Sequence, residues 1–167
     1  YLGAAFQKAV TNETKAILLR ALAHEGKADF AHVNRLDRLR NSADSYGLAI
    51  LSLIWSRMER PEKAAEVAQL LEQKGFLTEL QRSDAVEEPI CVWIDDRVEQ
   101  VALATLALQL ARPQSPLVQQ GIDWLLQHRG WAGWPSPKGS AAAAAALGQW
   151  YARTRRASER YTLRITV

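Results

Sequence analysis

Residues 138–156 read KGSAAAAAALGQWYARTRR, six consecutive alanines between a Gly-Ser pair and a Gly-Gln-Trp-Tyr group. Alanine has the highest intrinsic helix propensity, because it loses no side-chain entropy on entering a helix. A run of this kind is either an exposed linker or a helix packed so closely that only methyl groups fit. Leu147, Trp150 and Tyr151 follow directly, and an aromatic-rich loop precedes it, which a linker would not need. The stretch therefore predicts a helix over residues 140–154, with its alanines against neighbouring helices and its Trp-Tyr end sealing one rim. On this reading a leucine at Ala143 or Ala144 overpacks the interior.

Other segments share the design. Residues 11–26 (TNETKAILLRALAHEG), 42–60 (SADSYGLAILSLIWSRMER) and 95–112 (DDRVEQVALATLALQLAR) each open on polar or capping residues. Each then runs through Ala and Leu around most of the helical circumference, as a helix buried on several sides does. The opening stretch, YLGAAFQKAV, is similar. Between them lie FAHVNRLDRLR, PEKAAEVAQLLEQKG and SPLVQQGIDWLLQHRG, which are amphipathic. In the last, Val118, Ile122, Leu125 and Leu126 make one stripe. Pro61 and Pro116 fall at or near first turns and Gly75 and Gly130 after last turns, where left-handed caps are expected.

Buried helices alternating with amphipathic ones predict an all-α fold of stacked hairpins, an inner layer beginning near residues 12, 43, 96 and 139 and an outer layer between. Small side chains suit an inner ring of converging helices, so the expected architecture is an α/α toroid. Two additions are expected: a small β-hairpin from FLTEL (residues 76–80) and ICVWI (residues 90–94), and a C-terminal strand, YTLRITV (residues 161–167). Residues 1–157 then form a partial toroid domain and residues 158–167 the first strand of a following β domain. The chain does not begin with Met, and its opening lacks the basic flank and apolar core of a signal peptide, so it reads as a segment of a longer polypeptide.

Composition narrows the function classes. The 167 residues are 48% hydrophobic and 23% charged, with net charge +3 from 21 basic and 18 acidic residues. A modest basic cluster at Arg153, Arg155, Arg156 and Arg160 falls short of a nucleic-acid footprint. No stretch approaches the roughly 20 apolar residues of a membrane span. Cys91, the single cysteine, allows no intrachain disulfide. It sits in an apolar PICVW run, which suits an inert thiol better than a nucleophile. Asp95, Asp96 and Glu99 read either as metal ligands or an acid–base pair, or as the N-terminus of a helix, where carboxylates suit free amides. No histidine or further carboxylate stands at matching spacing, which favours the helix end. His24, His32 and His128 occupy different helices and fall in no motif. No catalytic, metal or cofactor residue is assigned. Trp131 and Trp134, in RGWAGWPSPKGS (residues 129–140), read as an aromatic plug at the end of the helical stack or as a docking surface, with sugar stacking the sharper alternative.

Residues 92–151 resemble the thioester-domain region of the α2-macroglobulin and complement family. The likeness runs through Trp93, Val98, Glu99, Ala102, Trp124, Leu125, Arg129, Gly133, Trp134, Ser136, Lys138, Leu147 and Tyr151. Residues 42–58 resemble that family's helix ending in Met, and residues 161–167 fall where its following domain begins. Two motifs depart from the pattern: the Ser-Thr-x-x-Thr segment is Ser136-Pro137-Lys138-Gly139-Ser140, and Val-Glu-x-Thr is Val98-Glu99-Gln100-Val101. The Cys-x-Glu-Gln thioester motif is absent, since Val92, Trp93 and Ile94 follow Cys91. The resemblance implies the C-terminal part of a thioester-type α/α toroid in a bacterial-type α2-macroglobulin-like protein. It further implies a bait-and-trap inhibitor of proteases, located in the periplasm or outside the cell. Expected partners are other domains of the parent chain and target proteases, with no nucleic acid and no membrane contact. Two other readings stand beside it: a terpenoid cyclase or prenyltransferase on the same toroid, and a helical carbohydrate- or protein-binding module using Trp131 and Trp134.

Overall fold

Most helices of the computed structural model, which describes residues 2–8, 11–78, 96–131 and 133–154, begin or end on chemistry visible in the chain. The helices are α1 (Leu2–Lys8), α2 (Asn12–His24), α3 (Phe30–Asp37), a 3-10 turn (Arg40–Ser42), α4 (Ser45–Arg57), α5 (Pro61–Lys74), α6 (Arg97–Ala111), α7 (Pro116–Gln127) and α8 (Pro137–Thr154). Thr11, Asp29, Asp44, Asp96 and Ser115 each cap a helix by accepting a backbone N–H of its first turn. Such side chains satisfy amides that have no partner within the helix. Pro61 and Pro116 open α5 and α7 at positions where a missing N–H costs nothing.

The described residues are helical, with no named strand among them. Helices α2, α4, α6 and α8 pack one against the next, and α6 and α8 make the most extensive contact. Helix α5 contacts both α4 and α6, and α7 packs on α6 and α8, while α3 rests on α4 and α2 and α1 on α2. Helices α4 and α6 are the most enclosed. In α4 every residue from Leu48 to Trp55 is buried, and in α6 burial extends from Val98 to Gln109 with few breaks. Burying a large apolar side chain such as Leu48, Ile54 or Leu103 contributes about 1.5–3 kcal/mol each, so this row dominates the hydrophobic stabilisation. Small residues set its spacing. A β-carbon placed on Gly121 of α7 would stand 2.1 Å from Thr105 Oγ1 of α6, so only glycine lets the two backbones approach this closely.

Several expectations change. Residues 76–78, the first part of FLTEL, are helical rather than extended, and Phe76 is buried in the core. The chain there follows directly on the left-handed cap at Gly75, with the Thr78 amide bonded to the Gly75 carbonyl. The rest of the expected hairpin and the strand YTLRITV lie outside the described residues. After α7 the positive φ falls on Gly133, at 108°, and not on Gly130. His128 caps α7 instead, and Gly130 and Gly133 exchange backbone hydrogen bonds of 2.9 and 3.1 Å. Leu126 lies off the α7 stripe and is exposed, whereas Val118, Ile122 and Leu125 are buried.

The alanine run is half what the sequence suggests. Ala142, Ala143 and Ala146 are buried, and the Ala146 carbonyl accepts a 2.9 Å bond from Gln109 Nε2 of α6. Ala141, Ala144, Ala145 and Gly148 face outward. Only one side of α8 meets α6, so overpacking applies at Ala143 and not at Ala144.

Candidate functional site

The acidic group at the start of α6 and the Ser-Pro-Lys-Gly-Ser segment at the start of α8 converge on one buried carboxylate. Asp96 is 6% exposed. Its Oδ1 accepts from the Glu99 amide at 3.1 Å and so caps α6. Its other oxygen, Oδ2, accepts a hydrogen bond from Ser136 Oγ, which is itself buried. Ser136 Oγ in turn accepts from the Gly139 amide at 2.9 Å, and the Ser136 carbonyl accepts from the Ser140 amide at 2.9 Å. One carboxylate thus holds two helix N-termini, one directly and one through a hydroxyl, where the positive ends of both dipoles favour its charge. Beside it Glu99 and Lys138 form a 2.8 Å ion pair, both side chains largely shielded. The space is full: a β-carbon on Gly139 would stand 2.8 and 2.9 Å from the Asp96 oxygens and 2.9 Å from Ser136 Oγ.

Ser136 donates to Asp96 and accepts from Gly139, so its oxygen is committed and no imidazole stands by to activate it. Among the described residues no group of three or more His, Cys, Asp or Glu side chains is placed to hold a metal ion. Asp95 and Cys91 lie outside the described residues. The histidines remain apart. His32 meets Phe6 edge-on, with ring centroids 4.7 Å apart, and its Nδ1 lies 3.2 Å from Asp29. His24 is exposed at the end of α2. His128 stacks on Trp124 at 3.8 Å, with Nδ1 2.8 Å from the Trp124 carbonyl. Asp29 has its carboxyl held below the usual range, chiefly by the His32 backbone amide and then by that of Ala31.

The two tryptophans separate. Trp134 packs against the core, its Nε1 donating to the Leu125 carbonyl at 3.1 Å with the Arg129 guanidinium above its ring. Trp131, at the tip of the turn closed by Gly130 and Gly133, is 99% exposed. Trp134 thus packs inward, whereas Trp131 presents an uncovered indole. No helix among the described residues is long and apolar enough to cross a membrane. Comparison with protein-family models, curated proteins and solved structures finds no match.

Sequence reasoning missed a second buried carboxylate. Asp37 accepts from Trp55 Nε1 at 3.3 Å and from Arg40 at 3.2 Å, and Lys63 Nζ lies 3.7 Å from it and over the Trp55 ring. Arg40 continues the network to Glu66 at 3.2 Å. The available signal was positional. Asp37 falls four residues after buried Val33, on the apolar stripe of α3, and Trp55 in an otherwise apolar helix needs an acceptor for its N–H.

Proposed function

We propose that this chain is the scaffold and docking portion of an α2-macroglobulin-like protease inhibitor, the C-terminal part of a thioester-type α/α-toroid domain. One observation carries the reading: the segments through which the family resemblance runs meet in space. Glu99 of the Val-Glu helix pairs with Lys138 of the Ser-Pro-Lys-Gly-Ser segment, beside the Asp96–Ser136 bond. The row α2, α4, α6, α8, with α5 joining α4 to α6 and α7 joining α6 to α8, supports the reading of an arc of such a toroid. The outward face of α8, with Ala141, Ala144, Ala145 and Gly148, suits the approach of a further helix. In this reading the chain carries out no catalysis and holds no cofactor. It transmits the rearrangement that follows bait cleavage, in the periplasm or outside the cell.

The test is a trapping assay on the full polypeptide that carries this chain. After limited digestion by trypsin, trapped enzyme should still cleave a small chromogenic peptide while losing activity on a large protein substrate. Parallel retention, or parallel loss, of both activities refutes the reading.

The exposure of Trp131 favours a second reading, a binding module that uses this indole. Glycan binding by the chain that disappears in Trp131→Ala, with the helical signal unchanged, would establish it; no glycan binding by the unaltered chain would remove it.

A further inference from the structure

Between the C-terminal halves of α2, α4 and α6 lies a cavity of about 260 Å³ that combines cationic and apolar walls. Arg20, His24 and Arg57 supply the first, and Leu53, Leu106 and Leu110 the second. None of these three basic side chains has an acidic partner among the described residues, whereas Arg40, Lys63, Arg112 and Lys138 are each ion-paired. Leu110, one residue past the buried stretch of α6, is 47% exposed. An uncovered leucine thus stands beside two guanidinium groups that no carboxylate among the described residues neutralises.

Cations near helix C-termini ordinarily serve the helix dipole, and that demand has a size. The ends of α2 and α4, at His24 and Arg57, carry roughly half a negative charge each. Arg153 serves the end of α6, donating to the Gln109 carbonyl at 2.7 Å. Arg57 lies in the last turn of α4, whereas Arg20 stands a turn before the end of α2, so the helix ends offset only part of the two guanidinium charges. That balance suits a monoanion, and guanidinium geometry suits a carboxylate.

We propose that this cavity binds a monocarboxylate with a short apolar body, its head between Arg20 and Arg57 and its tail against Leu106 and Leu110. The site stands on its own walls and is independent of the protease-inhibitor reading.

The probe is octanoate, titrated by calorimetry into the 167-residue chain, with acetate and 1-octanol as controls that keep only the charge or only the tail. Octanoate should bind saturably at one site per chain, and each control about tenfold or more weaker. Arg20→Gln and Arg57→Gln should each weaken octanoate about tenfold or more, the scale of a lost charge-assisted hydrogen bond. Leu110→Gln, at an exposed position, should weaken octanoate and leave acetate unchanged. Added salt should weaken octanoate binding. Circular dichroism on each variant separates loss of binding from loss of fold. Non-saturating uptake of octanoate, equal binding of 1-octanol, or undiminished binding by a folded Arg20→Gln, Arg57→Gln double variant overturns the proposal.

Discussion

Replacing glycine by alanine at two positions of α8 should have opposite effects, and the difference isolates the Asp96 joint. At Gly148 nothing lies within 4 Å of the added methyl. Alanine there restricts the unfolded chain and favours the helix, so Gly148→Ala should stabilise by about 0.5–1 kcal/mol. At Gly139 the methyl would collide with both Asp96 oxygens and with Ser136 Oγ. Relief requires the carboxylate and hydroxyl to part. Losing a buried hydrogen bond to a charged group costs about 1.5–3 kcal/mol, and weakening the α8 cap adds about 1. The helix-propensity gain returns at most about 1 kcal/mol. Gly139→Ala should therefore destabilise by about 2 kcal/mol net, placing the variants about 3 kcal/mol apart. Urea unfolding followed by circular dichroism resolves this, since a slope of about 2 kcal/mol per molar separates the midpoints by more than about 1 M. If the two variants unfold together, the joint does not constrain α8 and the packing argument fails.

The other expectations concern single sites. Ala143→Leu should cost about 1–3 kcal/mol by overpacking against α6, while Ala144→Leu, facing outward, stays within about 0.5 kcal/mol; equal melting temperatures would refute the one-sided burial of α8. Glu59 ends α4 with φ of 58°, a conformation that suits glycine, so Glu59→Gly should stabilise by about 1 kcal/mol in thermal unfolding, and a lowered midpoint would contradict it. Asp37→Ala should destabilise by about 1.5–3 kcal/mol, since it leaves Trp55 Nε1 without its acceptor and Lys63 without its carboxylate, while Arg40 keeps only Glu66; an unchanged urea midpoint would show that the network is idle. The Asp29 carboxyl should titrate below 3.8 by NMR. Because its folded value is depressed, its stabilisation of α3 is complete above the ordinary carboxylate range and lost as pH falls through the folded value. A midpoint at or above 3.8 would count against the capping geometry.

The helices were legible because their ends carry local chemistry. Thr11, Asp44, Asp96, Pro61, Pro116 and Gly75 each act within one turn of their own position, so the chain announces them without reference to the fold. The alternation of all-round apolar and one-sided helices was legible for a related reason, since burial on several sides leaves no polar face. What the sequence left open depends on distant partners. Nothing local to Phe76 says that the chain stays helical beyond the Gly75 cap and buries that ring. The alanine run could not reveal which of its faces would be covered, because methyl groups on every side carry no amphipathic pattern. The Asp96–Ser136 bond spans forty residues, and in the sequence Asp96 read best as the start of its own helix while Ser136 read as part of the loop before the alanine helix. Trp131 and Trp134 are alike in composition and context, and the turn between them sends one inward and the other out.

That turn separates display from support. Gly130 and Gly133 close it at the base, and Trp134 anchors its far side, so the tip stands on a hinge pinned shut before the chain enters α8. A different side chain at position 131 alters what the surface offers a visitor while leaving the helix stack undisturbed. Such a position is free to vary at little structural cost, so the stack's stability and the character of this surface are set by different residues.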